Sequence, residues 1–234
     1  YAVLWAAFFN FVAMFIFAPK VADTVSKIVK IQGQDHAYVW VVLSGLLGAI
    51  LWDLLTWWWG LPTSSSHALM GGFGGAGVAY AGWEALRWDK LLKAMEFIVI
   101  APFMGFIIAS LLMVAVSWAF RNWRPAGIDK LFRRGQFLSA ALYSLGHGGN
   151  DAQKTMGLIV AVLVAGGLMS SDTQLSLKDP ATLWIILSCH AAMGIGTAFG
   201  GWRIVKTMGM KITKLKPFGG FCAETAGAFT LFLA

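Results

Sequence analysis

Two groups of polar side chains stand in stretches of chain that are otherwise apolar. The first is Thr63, Ser64, Ser65, Ser66 and His67, which follow the Trp-rich run ending Trp57-Trp58-Trp59-Gly60-Leu61-Pro62. Its four hydroxyls are neutral donors that suit the oxygens of a tetrahedral anion, phosphate or sulfate. Ser and Thr are good helix N-caps, and Pro is favoured where a helix starts because its missing N–H would be unpaired there. A helix starting here and running into the small-residue stretch Leu69–Ala79 would aim free N–H groups and a positive dipole end at an anion. Broken helices recognise anionic groups in this way in secondary transporters. The plainer alternative is a helix cap with helix–helix hydrogen bonds, but three serines and a histidine after Pro62 exceed what one cap needs.

The second group is His147, Asn150, Asp151, Gln153 and Lys154, opened by Gly146, Gly148 and Gly149. Helical spacing places His147, Asn150, Asp151 and Lys154 on one side, with Asp151 and Lys154 able to pair at i,i+3. Asn150, Asp151 and Gln153 offer oxygens to a hard cation such as Na+, and Asp151 can instead carry a proton. The alternative is a neutralised Asp–Lys pair that only stabilises packing. For the lone carboxylate Glu224, a cation or proton role balances a structural hydrogen bond. Asn10 is a weaker candidate for lining a path. Asp53 reads as structural or interfacial and His190 as a satisfied packing residue.

Such residues are expensive in lipid. A charged side chain at the bilayer centre costs about 2.5–3.5 kcal/mol on insertion scales, so it persists where it faces a cavity, a partner or a substrate. The two groups therefore point to a translocation pathway, provided the surrounding elements cross a membrane. Composition says that they do. Of 234 residues, 58% are hydrophobic and 12% charged, with mean hydropathy +0.70. A soluble domain carries about 25% charged residues. Long continuous apolar runs favour helices over the short alternating segments of a membrane barrel. The net charge of +7 lies mostly between apolar runs and fits membrane topology rather than nucleic-acid binding. Cys189 and Cys222 read as small buried hydrophobes without disulfide or metal spacing. No signal peptide is visible.

A spanning helix needs about 20 apolar residues. Candidate segments are Tyr1–Ala18, Ala37–Trp59, Leu69–Ala81, Phe97–Phe120, Phe137–Leu168, Leu183–Trp202 and Phe218–Ala234. Leu69–Ala81 is short, so Ala37–Ala81 is either two spans or a re-entrant hairpin. Phe137–Leu168 is long for one span, and its glycines suggest a break in its polar centre. The expected fold is therefore an all-α integral membrane protein with broken or re-entrant helices. The basic stretches Arg121–Arg134 and Arg203–Lys216 are expected in the cytoplasm, and the segment between Leu168 and Leu183 outside. By the same count Trp83–Glu96 and Lys20–His36 lie outside, although the lysines of Lys20–His36 fit that poorly. Tyr1 opens, and Ala234 closes, inside an apolar run, which reads as an internal piece of a longer protein.

Other chemistries fit less well. The glycines Gly71, Gly72, Gly74, Gly75 and Gly77 lack the P-loop pattern and read as close helix packing. A membrane-embedded serine hydrolase using Ser64, Ser65 or Ser66 with His67 or His147 is a remote alternative. Adjacent Ser and His do not build the required base and oxyanion geometry, and no nucleophile-elbow motif occurs.

The chain resembles the inorganic phosphate transporter family (the PiT or PHO4-type permeases), whose members have two inverted repeats. Each repeat carries a Gly-Ala-Asn-Asp-type motif and a Pro-x-Ser-x-Thr/Ser-His-type motif. Gly148-Gly149-Asn150-Asp151 is similar to the first motif of the second repeat, with Gly149 where Ala is common. Gly60-Leu61-Pro62-Thr63-Ser64-Ser65-Ser66-His67 is similar to the second motif of the first repeat. Ala7-Phe8-Phe9-Asn10-Phe11, Val21-Ala22-Asp23-Thr24, Phe137–Ala141, Gly194–Thr197, Gly200-Gly201-Trp202 and Ala223-Glu224 resemble further family positions in the family's order. The resemblance divides the chain into a first-repeat portion (1–120), a cytoplasmic basic loop (121–136) and a second-repeat portion (137–234). The other two motifs are expected before Tyr1 and after Ala234.

What the resemblance implies is symport of phosphate with Na+ or H+ by alternating access, with sulfate as the rival substrate of the same architecture. Thr63, Ser64, Ser65, Ser66 and Gln153 are then expected at the substrate. Asn150, Asp151 and Glu224 are expected at the coupling cation or proton, supported by His67, His147, Lys154 and Asn10. No enzyme activity, cofactor, resident metal or nucleic-acid partner is expected. The substrate can be a metal–phosphate complex in some bacterial members. A homodimer is open to the chain, and its compact loops suggest a prokaryotic inner membrane.

Overall fold

The computed structural model describes residues 1–17, 28–30, 36–170 and 172–233. Val21–Thr24 and most of the Lys20–His36 segment fall outside the described residues. Among the described residues the α-helices are α1 (Ala2–Ile16), α2 (His36–Trp59), α3 (Ser65–Ala81), α4 (Trp88–Ala119), α5 (Pro125–Ala165), α6 (Pro180–Lys206) and α7 (Pro217–Leu233). A short 3-10 turn covers Trp83–Ala85, and a π turn at Thr207–Ile212 extends α6. The fold is thus helical, with one isolated antiparallel bridge between Val29 and Leu86 among the described residues.

The helix boundaries have local causes. Helices α5, α6 and α7 each begin at a proline, where the absent N–H costs nothing. Asp179 precedes α6 and accepts the Ala181 N–H through Oδ1 at 3.0 Å, an N-cap bond. Helix α2 ends at Gly60, which takes φ +69°. The Gly60 N–H reaches Trp57 O at 3.0 Å and the Leu61 N–H reaches Thr56 O at 2.8 Å. This pair of bonds is the Schellman stop that glycine permits. Pro62 then lies outside α3, whose cap is Ser64, so it plays no part in starting that helix.

Among the described residues three stretches are long and apolar enough to cross a membrane: Ala37–Trp59, Trp88–Ala119 and Pro180–Ile212. Helix α4 has no fully buried residue within the chain: Phe103, Phe106 and Trp118 are exposed on one side, and Ala101, Gly105, Ile108, Leu112 and Val116 form a half-buried stripe on the other. A helix apolar on every side belongs in lipid or inside a larger assembly.

The chain forms two compact units. One comprises Tyr1–Ile16, Glu96–Asn150 and His190–Ala234, and the other Phe17–Met95 and Asp151–Cys189. Both draw on residues from either side of the 121–136 segment. In the second unit α2 and α3 form a hairpin. The Gly72 Cα lies against the Gly45 carbonyl, and the Gly45 Cα against the Phe73 backbone, so a β-carbon at either position would collide with main chain. Small residues let two backbones meet this closely. Gly77 packs on Val29 and Gly74 on Leu86, whereas Gly71 and Gly75 face open space. Ile28, Val29, Tyr38, Val41, Val42, Phe73, Leu86 and Leu158 make the core of this unit.

Helix α5, whose residues to Asn150 belong to the first unit and from Asp151 to the second, differs from the expectation. It runs 41 residues without a break. At about 1.5 Å per residue it is longer than the roughly 30 Å hydrocarbon layer. Residues 125–136, expected as loop, are its first turns. Gly146 and Gly148 do not break the helix; they admit neighbours. A β-carbon on Gly148 would meet the Asn10 backbone of α1, and one on Gly146 would meet Leu231 of α7.

Candidate functional site

In the second unit the hydroxyl cluster sits at the start of α3. Ser64 is extended (φ −92°, ψ 113°), and its Oγ accepts the backbone N–H of His67 at 3.4 Å, a long N-cap bond. Ser65 and Ser66 are the first two residues of α3. The N–H groups of a first helical turn have no carbonyl partner within the helix, so this end carries partial positive charge. Beside it lies a cavity of about 440 Å³, bounded by Gly48 and Trp52 of α2 and by Thr63, Ser64, His67 and Gly71. Thr63 Oγ1 accepts the Trp52 indole N–H at 3.4 Å. The hydroxyl cluster therefore splits: Thr63, Ser64 and His67 face this cavity, while Ser66 turns to α5.

There Lys154 Nζ donates to Ser66 Oγ at 2.7 Å and to Asp151 Oδ1 at 2.7 Å. The Lys154 and Asp151 side chains are 29% and 19% exposed. At this depth desolvation offsets much of the pair's attraction, but removing one partner strands a charge. The sequence pairs Asp151 with Lys154 by spacing alone. Ser66, 88 positions away from Lys154, joins them only through the fold. Gln153 is half-buried on the same helix.

The remaining candidates lie in the first unit. Asn150 Nδ2 donates to Leu231 O at 2.9 Å, tying α5 to α7. Glu224 of α7 accepts the Ser139 hydroxyl of α5 at Oε2, 2.6 Å away. Among the described residues no cation forms a salt bridge with Glu224. Asn10 is buried on α1, where its Nδ2 donates to Thr197 Oγ1 at 2.9 Å and its backbone carbonyl lies 3.2 Å from His190 Nδ1. Its Oδ1 is buried without a hydrogen-bond partner among the described residues, as is Asp53 Oδ1 in the second unit. His147 is half-buried and stacks on Tyr143, ring centroids 6.4 Å apart. His190 is the packing residue expected of it, and Cys189 and Cys222 are buried free thiols.

These neighbourhoods of hydroxyls, amides and carboxylates lie on apolar helices, and the chain as a whole is similar in sequence to known proteins. The family model described as "Phosphate transporter family" matches residues 1–234. The chain belongs to the phosphate transporter family. A probable low-affinity inorganic phosphate transporter of Rhizobium meliloti (strain 1021) is 50% identical over 234 residues, which are all of this chain and 68% of that protein. The similarly named protein of Bacillus subtilis (strain 168) is 40% identical over 99% of this chain and 68% of its own length. A solved structure described as "The sodium-dependent phosphate transporter" superposes with TM-score 0.82 over 99% of this chain and 74% of that one, at 22% identity, and so shares the fold. Family membership makes the chain a transporter component rather than an enzyme. It is an integral membrane protein, and the bacterial relatives imply the inner membrane. Consistent with this, Ser64 bonds the backbone of His67, which is no nucleophile–base pair.

Sequence reading missed two partners in this family member. Ser139 and Thr197 hold Glu224 and Asn10. Both lie in stretches that resemble family positions, Phe137–Ala141 and Gly194–Thr197, but nothing in those stretches hints at a partner 85 or 187 positions away.

Proposed function

We propose that the chain carries most of a secondary transporter that moves inorganic phosphate across a bacterial inner membrane together with a cation, Na+ or H+. The observation that carries this reading is the start of α3. A helix N-terminus, the hydroxyls of Thr63, Ser64, Ser65 and Ser66, and the Lys154 ammonium on Ser66 together make a positive, hydroxyl-rich place beside a cavity. Such a place favours an oxyanion. The family and the named function of the 50% identical relative support phosphate as that anion. The structural neighbour is itself described as sodium-dependent, which supports a cation here without choosing it. Asn150 and Glu224 supply oxygens for coupling, Gln153 serves either ion, and Asp151 takes part through the Lys154 ammonium that its carboxylate holds. His67, His147, Lys154 and Asn10 hold these groups in place. Transport proceeds by alternating access between two inverted repeats, and a homodimer is the assembly to look for.

The test is uptake of labelled phosphate by the full-length protein in proteoliposomes, with sulfate as competitor across a range of pH around neutrality. Phosphate changes protonation there and sulfate does not. Uptake that follows pH and resists excess sulfate is the expected result. Uptake of labelled sulfate in place of phosphate would move the substrate while leaving the fold intact.

A further inference from the structure

Asp151 already has a cation. The Lys154 ammonium lies 2.7 Å from Asp151 Oδ1 and 2.7 Å from Ser66 Oγ. A carboxylate oxygen with a hydroxyl oxygen is the kind of set that a desolvated alkali ion takes. The ammonium also sits where a helix start disfavours positive charge, so the carboxylate is what holds it there. A second cation on the same carboxylate would stand against the ammonium at close range, partly shielded from water, where like charges repel strongly. Lys is a compact point charge on a flexible stem and can take an ion's place in an oxygen cage.

We propose that Lys154 is a tethered cation: its ammonium fills the Asp151–Ser66 position, so Na+ is not drawn into that position when phosphate is carried. This rests on the phosphate-carrier reading for its transport consequence, but not for its ion-binding consequence. Asp151 then serves the carrier by holding the ammonium beside the anion site, and the exchangeable coupling ion acts at another carboxylate.

The test uses the full-length protein purified in detergent, with thermal stability followed as NaCl replaces choline chloride at fixed ionic strength and pH. Lys154→Asn and Lys154→Gln remove the ammonium and leave an oxygen in reach. Each is expected to bind Na+ at least about tenfold more tightly than the parent protein. Lys154→Arg, which keeps the charge, should not gain this response, and Asp151→Asn combined with Lys154→Asn should lose it. A Na+ response no greater in either neutral variant than in the parent overturns the proposal. So does a gain that survives loss of the Asp151 carboxylate. Phosphate uptake is measured alongside. Absence of uptake in the parent protein defeats the carrier reading, while the Na+ response still decides the role of Lys154.

Discussion

Asp151 and Glu224 are both carboxylates on apolar helices, and a serine hydroxyl belongs to the immediate surroundings of each. Around Asp151 in the second unit, the ammonium of Lys154 stands between carboxylate and hydroxyl. Around Glu224 in the first unit, Ser139 donates directly to the carboxylate and no cation pairs with it among the described residues. The same two functional groups thus occur once with an internal counter-ion and once without. A paired carboxylate is a fixture whose removal strands a charge. An unpaired one, kept from full hydration, gains from taking up a proton or a metal cation. On the proposed reading, the contrast gives holding to Asp151 and exchange to Glu224.

The largest effect is expected at the fixture. Asp151→Asn leaves the Lys154 ammonium without its carboxylate and should abolish coupled phosphate uptake, a loss of about hundredfold or more. Near-normal uptake by a monodisperse variant would remove Asp151 from the mechanism. Glu224→Gln keeps the shape and the hydrogen bond from Ser139 but cannot exchange an ion. Gradient-driven uptake should fall about tenfold or more, with phosphate binding retained. Equal loss of binding and uptake would instead make Glu224 structural and erase the contrast.

Smaller effects test the frame that holds each carboxylate. Gly148→Ala puts a β-carbon into the Asn10 backbone and should cost about 1–3 kcal/mol as overpacking, read as a lower Tm. Gly75→Ala meets open space in α3 and should be neutral or stabilise by up to about 1 kcal/mol through helix propensity. Equal responses would contradict the close approach of α1 to α5. Ser64→Ala should also have a small effect, a loss of about 0.5–1 kcal/mol, because its cap bond is long. A stability loss several times larger would mean that Ser64 does more than cap α3.

Much of this was legible in the residues. Polar clusters in apolar runs stand out because lipid makes them costly, but the fold sends their members to different neighbours, Asn150 to Leu231 and Lys154 to Ser66. The i,i+3 pairing of Asp151 with Lys154 follows from helical geometry. The bonds of Lys154 to Ser66, Ser139 to Glu224 and Asn10 to Thr197 were not legible, because they depend on which helices pack together. The expected break at Gly146–Gly149 failed for a related reason. Glycine in a membrane helix signals either a bend or a close neighbour. At Gly146 and Gly148 the neighbours are Leu231 and Asn10. Pro62 misled similarly, since the Gly60 stop places it before the cap rather than at the first turn.

The central claim is that phosphate crosses the membrane at the expense of a cation gradient. It is tested most directly by labelled phosphate uptake in proteoliposomes holding the full-length protein, with a pH gradient and a Na+ gradient imposed separately. Uptake driven by one of the two gradients, and collapsed when that gradient is dissipated, is the expected result. Uptake that merely equilibrates phosphate whatever the gradients, or no phosphate uptake under either, would contradict it.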